Sequence, residues 1–269
     1  MGDPTALTRE QVVAVETKYG APLTTTCLED LKSLYGTFVE AAIPAGDAPL
    51  TGGEAVLIQN FKAALGLNDA DAAPVHIDVG RRVLRGRMES SSRGEDFEAR
   101  KTFQKLIYVS SLVFGERQAA FLLPWVRVFN LNAAQLEVAR RDNARALFKS
   151  RVESLGGLRA DRAALANLKT YQSEIRLADD ETTSVIVEAV QATLQGCMDR
   201  AIECVKRRSR VRDLSELVSA LREAIDFNRS LAALKGEEDV PSGIGAATLA
   251  GTPWESVEGR SKDLREIFR

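Results

Sequence analysis

Apolar residues recur at helical spacing along almost the whole chain, and this periodicity restricts the fold more than any other feature of the sequence. Between Leu28 and Phe38 the apolar positions fall three or four residues apart, and the same spacing returns in 51–65 and 103–114. Strand-like alternation is almost absent. Further patterns of the same kind cover 132–155, 159–172, 179–208 and 214–235. The sequence therefore predicts an all-α protein.

Two segments of the chain resemble each other at an offset of 64 residues. The segment 67–90, LNDADAAPVHIDVGRRVLRGRMES, aligns with 131–154, LNAAQLEVARRDNARALFKSRVES, without a gap. Each copy starts with a leucine followed by an asparagine, and we expect Asn68 and Asn132 to be helix N-caps. Repetition at a fixed period indicates a repeat architecture, so residues 1–235 are predicted to form one continuous helical-repeat segment.

The C-terminal part of the chain departs from this periodicity. Residues 236–259 are rich in Gly, Pro and Ser, and we expect a linker with one short extended piece around 247–249. The sequence DLREIF within 260–269 is similar to DLKSLY at 30–35. We therefore expect 260–269 to begin a further helical unit, and the chain to be part of a longer repetitive protein.

Charge and hydropathy exclude several functional classes. The 269 residues include 36 Lys and Arg and 38 Asp and Glu, well interspersed, and no basic stripe indicates a nucleic-acid partner. The basic run at 206–212 is interpreted as a solvated helix end rather than a phosphate site. No segment approaches the roughly 18 to 20 uncharged apolar residues of a membrane-spanning helix. We therefore expect a soluble segment with no nucleic-acid partner.

Residues that carry catalytic or metal chemistry are scarce. His76 is the only histidine, and we expect it at the edge of the core or on the surface. Cys197 and Cys204 are about 10 Å apart along one helix, too far for a disulfide. Both are expected to be small buried side chains, although either could pair with Cys27 if the fold brought them together. No catalytic residue, cofactor or metal site is predicted.

One apolar stretch, FGERQAAFLLPWVRVFNLN at 114–132, is a candidate for contact with a partner. The first interpretation is a corner between helices, with Gly115 ending one helix and Pro124 in the first turn of a short second helix. The second interpretation is an exposed partner patch formed by Phe121, Leu122 and Trp125. The corner is preferred, and the patch remains open as the alternative.

Several motifs in a fixed order resemble a known family. They are FKAALG, GRRVLRGRME, YVSSLVFG and FLLPWVRVF, followed by a helix that starts with Asn-Ala. Over residues 28–157 this order is similar to the stromal region of the largest, scaffold subunit of Tic, the translocon at the inner envelope of chloroplasts. The later stretch IGAATLAGTPWESVEGRSKDLREIF also resembles the family's step into its next helical unit.

The resemblance implies an elongated, HEAT-like helical repeat on the stromal side of the inner envelope. Members of the family are anchored by N-terminal transmembrane helices, which this sequence does not contain. It further implies partners: transit peptides of incoming preproteins, stromal chaperones of the ClpC-type AAA and chaperonin classes, a membrane-bound co-chaperone and other translocon subunits. Redox control through cysteines is attributed to the family, but Cys27, Cys197 and Cys204 form no CxxC motif.

The leading hypothesis is thus a non-enzymatic scaffold and receptor in chloroplast protein import. A helical enzyme subunit completed by a missing partner or cofactor is the alternative from another class, and it would require polar side chains that converge in a deep apolar pocket. A channel-forming role within the translocon is a third possibility. An RNA-binding solenoid would need a basic stripe repeated from unit to unit, which the interspersed charges do not show.

Overall fold

A computed structural model describes residues 6–89, 93–114, 118–156, 158, 162–207, 211–234, 237, 240–241 and 243–244, with the side chains of 86–89, 93–96, 118–123 and 211–213 excepted. Within these ranges all the regular secondary structure is α-helical, which confirms the all-α prediction. The helices are α1 (Arg9–Tyr19), α2 (Leu23–Thr26), α3 (Leu28–Ala42), α4 (Glu54–Leu65), α5 (Asp69–Glu89), α6 (Arg93–Val113), α7 (Gln118–Phe129), α8 (Ala133–Ser154), α9 (Arg162–Glu174), α10 (Asp179–Lys206) and α11 (Val211–Ala232).

The chain divides into two compact units, Met1–Ala144 and Arg145–Arg269, and the boundary falls inside α8. In the first unit α3 packs on α4 and α5, and α6 packs on α4 and α5. In the second unit α10 packs along α11. The continuous repeat over 1–235 stays a prediction. Of the linker, the structure describes only residues 237, 240–241 and 243–244, and 260–269 lies outside the described residues.

The core of the first unit follows the predicted stripes in most places. All five positions predicted to form the stripe of α6 are buried: Phe103, Leu106, Ile107, Ser110 and Phe114. On the stripe of α3 the spacing allows either Leu34 or Tyr35, and it is Tyr35 that is buried while Leu34 is exposed. Leu57, which the spacing places on the stripe of α4, is exposed, and its neighbour Ile58 is fully buried, so this apolar face is rotated slightly from the predicted one.

The two similar segments begin their helices in the same way. In α5 the side-chain oxygen of Asn68 accepts a hydrogen bond from the backbone N–H of Asp71, at 2.9 Å. In α8 the side-chain oxygen of Asn132 accepts from the backbone N–H of Gln135, at 2.8 Å. Each asparagine therefore satisfies a backbone donor that the first helical turn leaves unpaired, and the predicted N-caps are confirmed.

Thr51 and Glu54 have the spacing of a capping box, which predicts Thr51 as the N-cap of α4, but the start of this helix is built differently. The N-cap residue is Gly53 rather than Thr51, and no side chain caps it. Instead the carboxylate of Glu54 accepts hydrogen bonds from the backbone N–H and the hydroxyl of Thr51 and from the backbone N–H of Gly52. A negative charge in the first helical turn is also favoured by the helix dipole, so the same two residues stabilise this end by another route.

Candidate binding groove

The second unit contains an open groove of about 990 Å³ between the C-terminal part of α8 and the middle of α10. On the α8 side its wall is formed by Lys149, Val152, Glu153 and Gly156. On the α10 side it is lined by Val185, Glu188, Ala189, Ala192, Thr193, Gly196 and Arg200. The groove therefore combines an apolar base with charged edges.

Small side chains on one face of α10 make room for the groove. Ala189, Ala192, Thr193 and Gly196 lie three or four residues apart, so they share a face of the helix. A Cβ atom added to Gly196 would meet no other atom within 4 Å. Glycine inside a helix costs roughly 1 kcal/mol relative to alanine, and packing does not require it here. The absence of a side chain at Gly196 therefore widens the groove rather than serving the core.

A second groove of about 500 Å³ continues along α10 and shares Arg200 with the first. It lies between α10 and α11 and is lined by Asp199, Arg200, Glu203, Cys204, Arg207, Glu216, Ser219 and Ala220. Together the two grooves follow α10 from Val185 to Arg207, a length of about 33 Å at 1.5 Å per residue. This length suits an elongated ligand such as a peptide segment.

The charged side chains along the two grooves are predominantly acidic. Five of them are acidic and three are basic: Glu153, Glu188, Asp199, Glu203 and Glu216 against Lys149, Arg200 and Arg207. In the first groove, neither Lys149 nor Glu153 forms an ion pair with a residue that the structure describes. The net negative charge favours a basic ligand, with steering that weakens as salt is added.

Two ion-pair clusters hold the helices around the grooves. Arg145 of α8 donates to Glu181 at 2.6 Å and to Glu188 at 2.5 Å, both on α10. Those carboxylates raise the pKa of Arg145, with the hydrogen bond to Glu181 as the largest cause. Arg200 of α10 donates to Glu223 of α11 at 2.5 Å. Glu188 and Arg200 therefore have partners within the fold, while Lys149 and Glu153 remain available to a ligand.

The only histidine lies in the core of the first unit, so its predicted place at the edge or surface is wrong. His76 is fully buried, with Nε2 2.8 Å from the hydroxyl of Tyr35 and Nδ1 2.7 Å from that of Ser110. Burial, with a smaller effect of Lys62, lowers the pKa of His76 to about 3. A serine beside a histidine is typical of nucleophilic catalysis, but a base needs a pKa near the working pH and access to substrate. This cluster gives no support to the enzyme hypothesis.

The three cysteines are free thiols, with Cys197 and Cys204 buried as predicted and Cys27 partly exposed. Each buried sulfur is near a charged side chain, Cys197 near Arg200 at 3.3 Å and Cys204 near Glu216 at 3.9 Å. In the part of the chain that the structure describes, no cluster of three or more His, Cys, Asp and Glu side chains has the arrangement of a metal site. No described helix combines the length and hydropathy needed to cross a bilayer.

The residues of the predicted partner patch are only partly described. Trp125 is 1 % exposed and packs against Phe103 and Phe129, with ring centroids 5.7 and 5.2 Å away, so its indole belongs to the core. The side chains of Phe121 and Leu122 and the residue Gly115 lie outside the described residues. A patch at Phe121 and Leu122 stays a prediction.

The predicted position of Pro124 is wrong. It lies in the middle of α7 rather than in its first turn, because the helix already begins at Gln118, before the apolar run. The residues Gln118, Ala119 and Ala120 are good helix formers, and they extend the helix toward the N-terminus.

Neither groove was predicted, although part of the signal is in the sequence. The run EAVQATLQG places Ala189, Ala192, Thr193 and Gly196 at helical spacing. A glycine in the interior of a 28-residue helix is also unusual enough to indicate a special role. What the sequence does not show is that the C-terminal part of α8 stands opposite this face.

Comparison with known proteins gives one family. The model of the Tic110 family, described as a chloroplast envelope transporter, matches residues 1–269. The chain is 36 % identical over 272 aligned residues to the chloroplastic protein TIC110 of Pisum sativum, covering 99 % of this chain and 27 % of the relative. To the chloroplastic protein TIC110 of Arabidopsis thaliana it is 32 % identical over 272 aligned residues, covering 99 % of this chain and 26 % of the relative.

The chain thus spans about a quarter of the length of these curated relatives. No solved structure matches it. The match extends over both compact units, including the helices that form the grooves. With its whole length matched by the family model, the chain belongs to the Tic110 family.

Proposed function

We propose that this chain is a non-enzymatic receptor and scaffold segment in chloroplast protein import, acting on the stromal side of the inner envelope. Membership of the Tic110 family, described as a chloroplast envelope transporter, supports a role in import and a chloroplast location. The elongated grooves in the second unit support binding of a peptide rather than conversion of a small molecule.

The observation that carries the proposal is the surface along α10, where small side chains line the first groove and acidic side chains outnumber basic ones in the second. A transit peptide is basic, hydroxylated and poor in acidic residues, so its charges complement Glu153 and Glu216. Its apolar residues would lie over Ala189, Ala192 and Gly196, where no bulky side chain stands in the way. A peptide longer than one pocket gains affinity from several weak contacts along the groove.

The test is the binding of a fluorescently labelled transit peptide to the full chain, measured by anisotropy. A scrambled peptide of equal composition and charge is the control, because it retains the electrostatic attraction and loses the spacing of apolar residues. We expect the native order to bind several-fold more tightly, and both affinities to fall with added salt. Equal affinity for the two peptides would contradict a specific receptor role.

We further propose that the segment contributes to recruiting stromal chaperones of the ClpC-type AAA and chaperonin classes, beside an inner-envelope co-chaperone and other translocon subunits. A repeat of packed helices offers long surfaces on which several proteins can assemble. A pull-down from stromal extract with the immobilised chain should recover at least one of these chaperones. Recovery of none, under conditions in which the transit peptide binds, would limit the role of this segment to peptide binding.

A further inference from the structure

Helix α11 carries a row of large apolar side chains that α10 does not cover. Ala220, Phe227 and Leu231 are buried on the side where α10 packs along α11. The exposed row lies about a third of a turn further round the helix. It consists of Leu214, Val218, Leu221 and Ile225, which are 62, 46, 39 and 42 % exposed. Single exposed apolar side chains are ordinary, but four that adjoin one another on one helix indicate a contact surface.

The spacing of the exposed row indicates a helical partner. Its members follow one another at intervals of four, three and four residues, as do the positions that meet a second helix in a coiled coil. The next position at this spacing is Asn228, so the apolar row ends there. From Leu214 to Ile225 the row is about 17 Å long, at 1.5 Å per residue. A narrow stripe of this length matches one face of a short amphipathic helix.

The charges beside the exposed row restrict the partner further. Arg222 and Arg229 border the row on the side away from α10, and both are exposed. Neither side chain forms an ion pair or hydrogen bond with a residue that the structure describes. Asp226 lies farther round the helix, and no ion pair joins it to either arginine. Two positive charges at the edge of an apolar stripe favour a partner with carboxylates beside its own apolar face.

A second copy of α11 does not supply those carboxylates. In an antiparallel pair of α11 helices, Arg222 and Arg229 of one copy would face the same two arginines of the other. In a parallel pair they would face Leu217 and Ala224, which border the row on its other side. A basic peptide would meet repulsion at the same edge. The exposed row therefore favours the opposite charge from the grooves along α10.

We propose that the exposed row of α11 is a docking site for a short amphipathic helix of a partner protein, with Asp or Glu along the edge that meets Arg222 and Arg229. The apolar face of the partner helix covers the row, and its carboxylates pair with the two arginines. Glu216 and Ser219, which line the second groove, lie on the opposite side of α11 from the row. The chain can therefore hold this helix while a peptide occupies the grooves, and the proposal does not depend on the ligand of the grooves.

Binding of two designed helices to the full chain tests the proposal. Each probe is a fluorescein-labelled peptide of about three heptads with Leu at the positions that face the row. The acidic probe carries Glu beside these leucines, and the basic probe carries Lys. We expect the acidic probe to bind at least about tenfold more tightly by anisotropy, with a difference that shrinks as salt is added. Equal affinities would overturn the proposal, and so would no binding of the acidic probe, as when another part of the chain covers the row.

Variants of α11 identify the surface that the acidic probe contacts. Leu221→Asp with Ile225→Asp should weaken its binding about tenfold or more, with helix content unchanged by circular dichroism. Val138→Asp, at an exposed apolar position of α8 in the first unit, is the matched control and should leave the affinity unchanged. Arg222→Glu with Arg229→Glu should make the basic probe the tighter ligand, a reversal that a change in folding alone does not produce. An acidic probe that still binds more tightly to this variant would contradict the proposal.

Light scattering and the labelled transit peptide distinguish the other occupants. We expect a monomeric chain whose affinity for the transit peptide is the same with and without Leu221→Asp and Ile225→Asp. A dimer that these two substitutions dissociate would assign the row to a second copy of the chain. A loss of transit-peptide affinity in the same variant would assign the row to that peptide. Either result would contradict the proposal.

Discussion

At the scale of single residues, His76 joins three helices of the first unit through two hydroxyl groups. Tyr35 comes from α3 and Ser110 from α6, and both lie within hydrogen-bond distance of the imidazole of α5. The ring also meets Phe114 edge-on, with centroids 5.0 Å apart. A buried polar group with both nitrogens satisfied costs little free energy, but a charged imidazole at this site would cost much more.

This burial predicts a dependence of stability on pH. The pKa of His76 is lowered from 6.5 to about 3 by burial, so below pH 6.5 the unfolded chain takes up a proton that the folded chain does not. His76 should therefore not reduce the free energy of unfolding above pH 6.5. Below that pH the free energy of unfolding should fall by up to roughly 1.4 kcal/mol per pH unit on acidification towards pH 3. Urea titrations at several pH values measure it. In the His76→Gln variant the free energy of unfolding should fall less steeply with decreasing pH over this range. An identical fall in the two proteins would contradict the role of His76 in this pH dependence.

Lys105 gives a second prediction at this scale. Its ammonium group donates to the carbonyl oxygens of Pro44, Gly46 and Ala48 at 3.0, 2.6 and 2.5 Å, and so ties the loop after α3 to α6. Lys105→Met should lower the free energy of unfolding by about 2 kcal/mol or more, since it leaves these carbonyls without their donor. Lys101→Met on the same helix removes an exposed ion pair with Asp47 and a contact with the exposed ring of Phe97, and should cost less than about 1 kcal/mol. Urea denaturation compares the two, and equal losses would contradict the special role of Lys105.

These two residues show where reasoning from the sequence stops. The spacing of Phe103, Leu106 and Ile107 is enough to predict which face of α6 is buried. It is not enough to place His76 in the core, because its partners are 41 and 34 residues away along the chain. The same holds for Lys105, a lysine within an apolar run whose acceptors are about 60 residues distant. Polar pairs of this kind depend on which helices meet, and one sequence does not contain that information.

At the scale of helices, two glycines inside long helices have opposite roles. Gly196 of α10 faces the groove, and a Cβ atom there would meet nothing within 4 Å. Gly80 of α5 faces aromatic rings, and a Cβ atom there would lie 3.0 Å from Phe129 and 3.1 Å from Phe103. The first glycine widens the groove, and the second lets two helices approach closely.

The same substitution should therefore change stability in opposite directions. Gly196→Ala should raise the free energy of unfolding by about 0.5 to 1 kcal/mol through helix propensity alone. Gly80→Ala should lower it by about 1 to 3 kcal/mol, because buried rings must shift to admit the methyl group. Thermal and urea unfolding of the two variants measure this contrast. A loss of stability in Gly196→Ala would show that Gly196 serves packing.

Helices with a strong apolar period were predicted well, and those without one were missed or shortened. α8, α9 and α10 begin and end within a few residues of their predicted bounds. α1 was not predicted, and only Val12 of its residues is buried. Its ends depend on local signals instead, a capping box at Thr8 and a left-handed Gly20. α6 starts ten residues before its apolar stripe, since its first half is polar and carries no period.

At the scale of the whole chain, the two compact units differ in what they offer to a ligand. The first unit closes its core around aromatic rings and the His76 cluster. The second unit contains the elongated grooves along α10, lined by five acidic and three basic side chains, and a row of exposed apolar residues on α11. The fold class and the family could be predicted from periodicity and motif order. The grooves could not, because they form only where α8, α10 and α11 come together.

Peptide binding by a chain with a blocked groove is the most direct test of the proposed receptor function. Gly196→Leu adds a bulky side chain to the groove at a position where the fold leaves space, so the chain should stay folded. Ala134→Leu is the matched control, an exposed helical position in the first unit. We predict that Gly196→Leu weakens binding of the labelled transit peptide about tenfold, worth roughly 1.4 kcal/mol, while Ala134→Leu leaves it unchanged. Unchanged affinity in a folded Gly196→Leu chain would contradict binding in this groove.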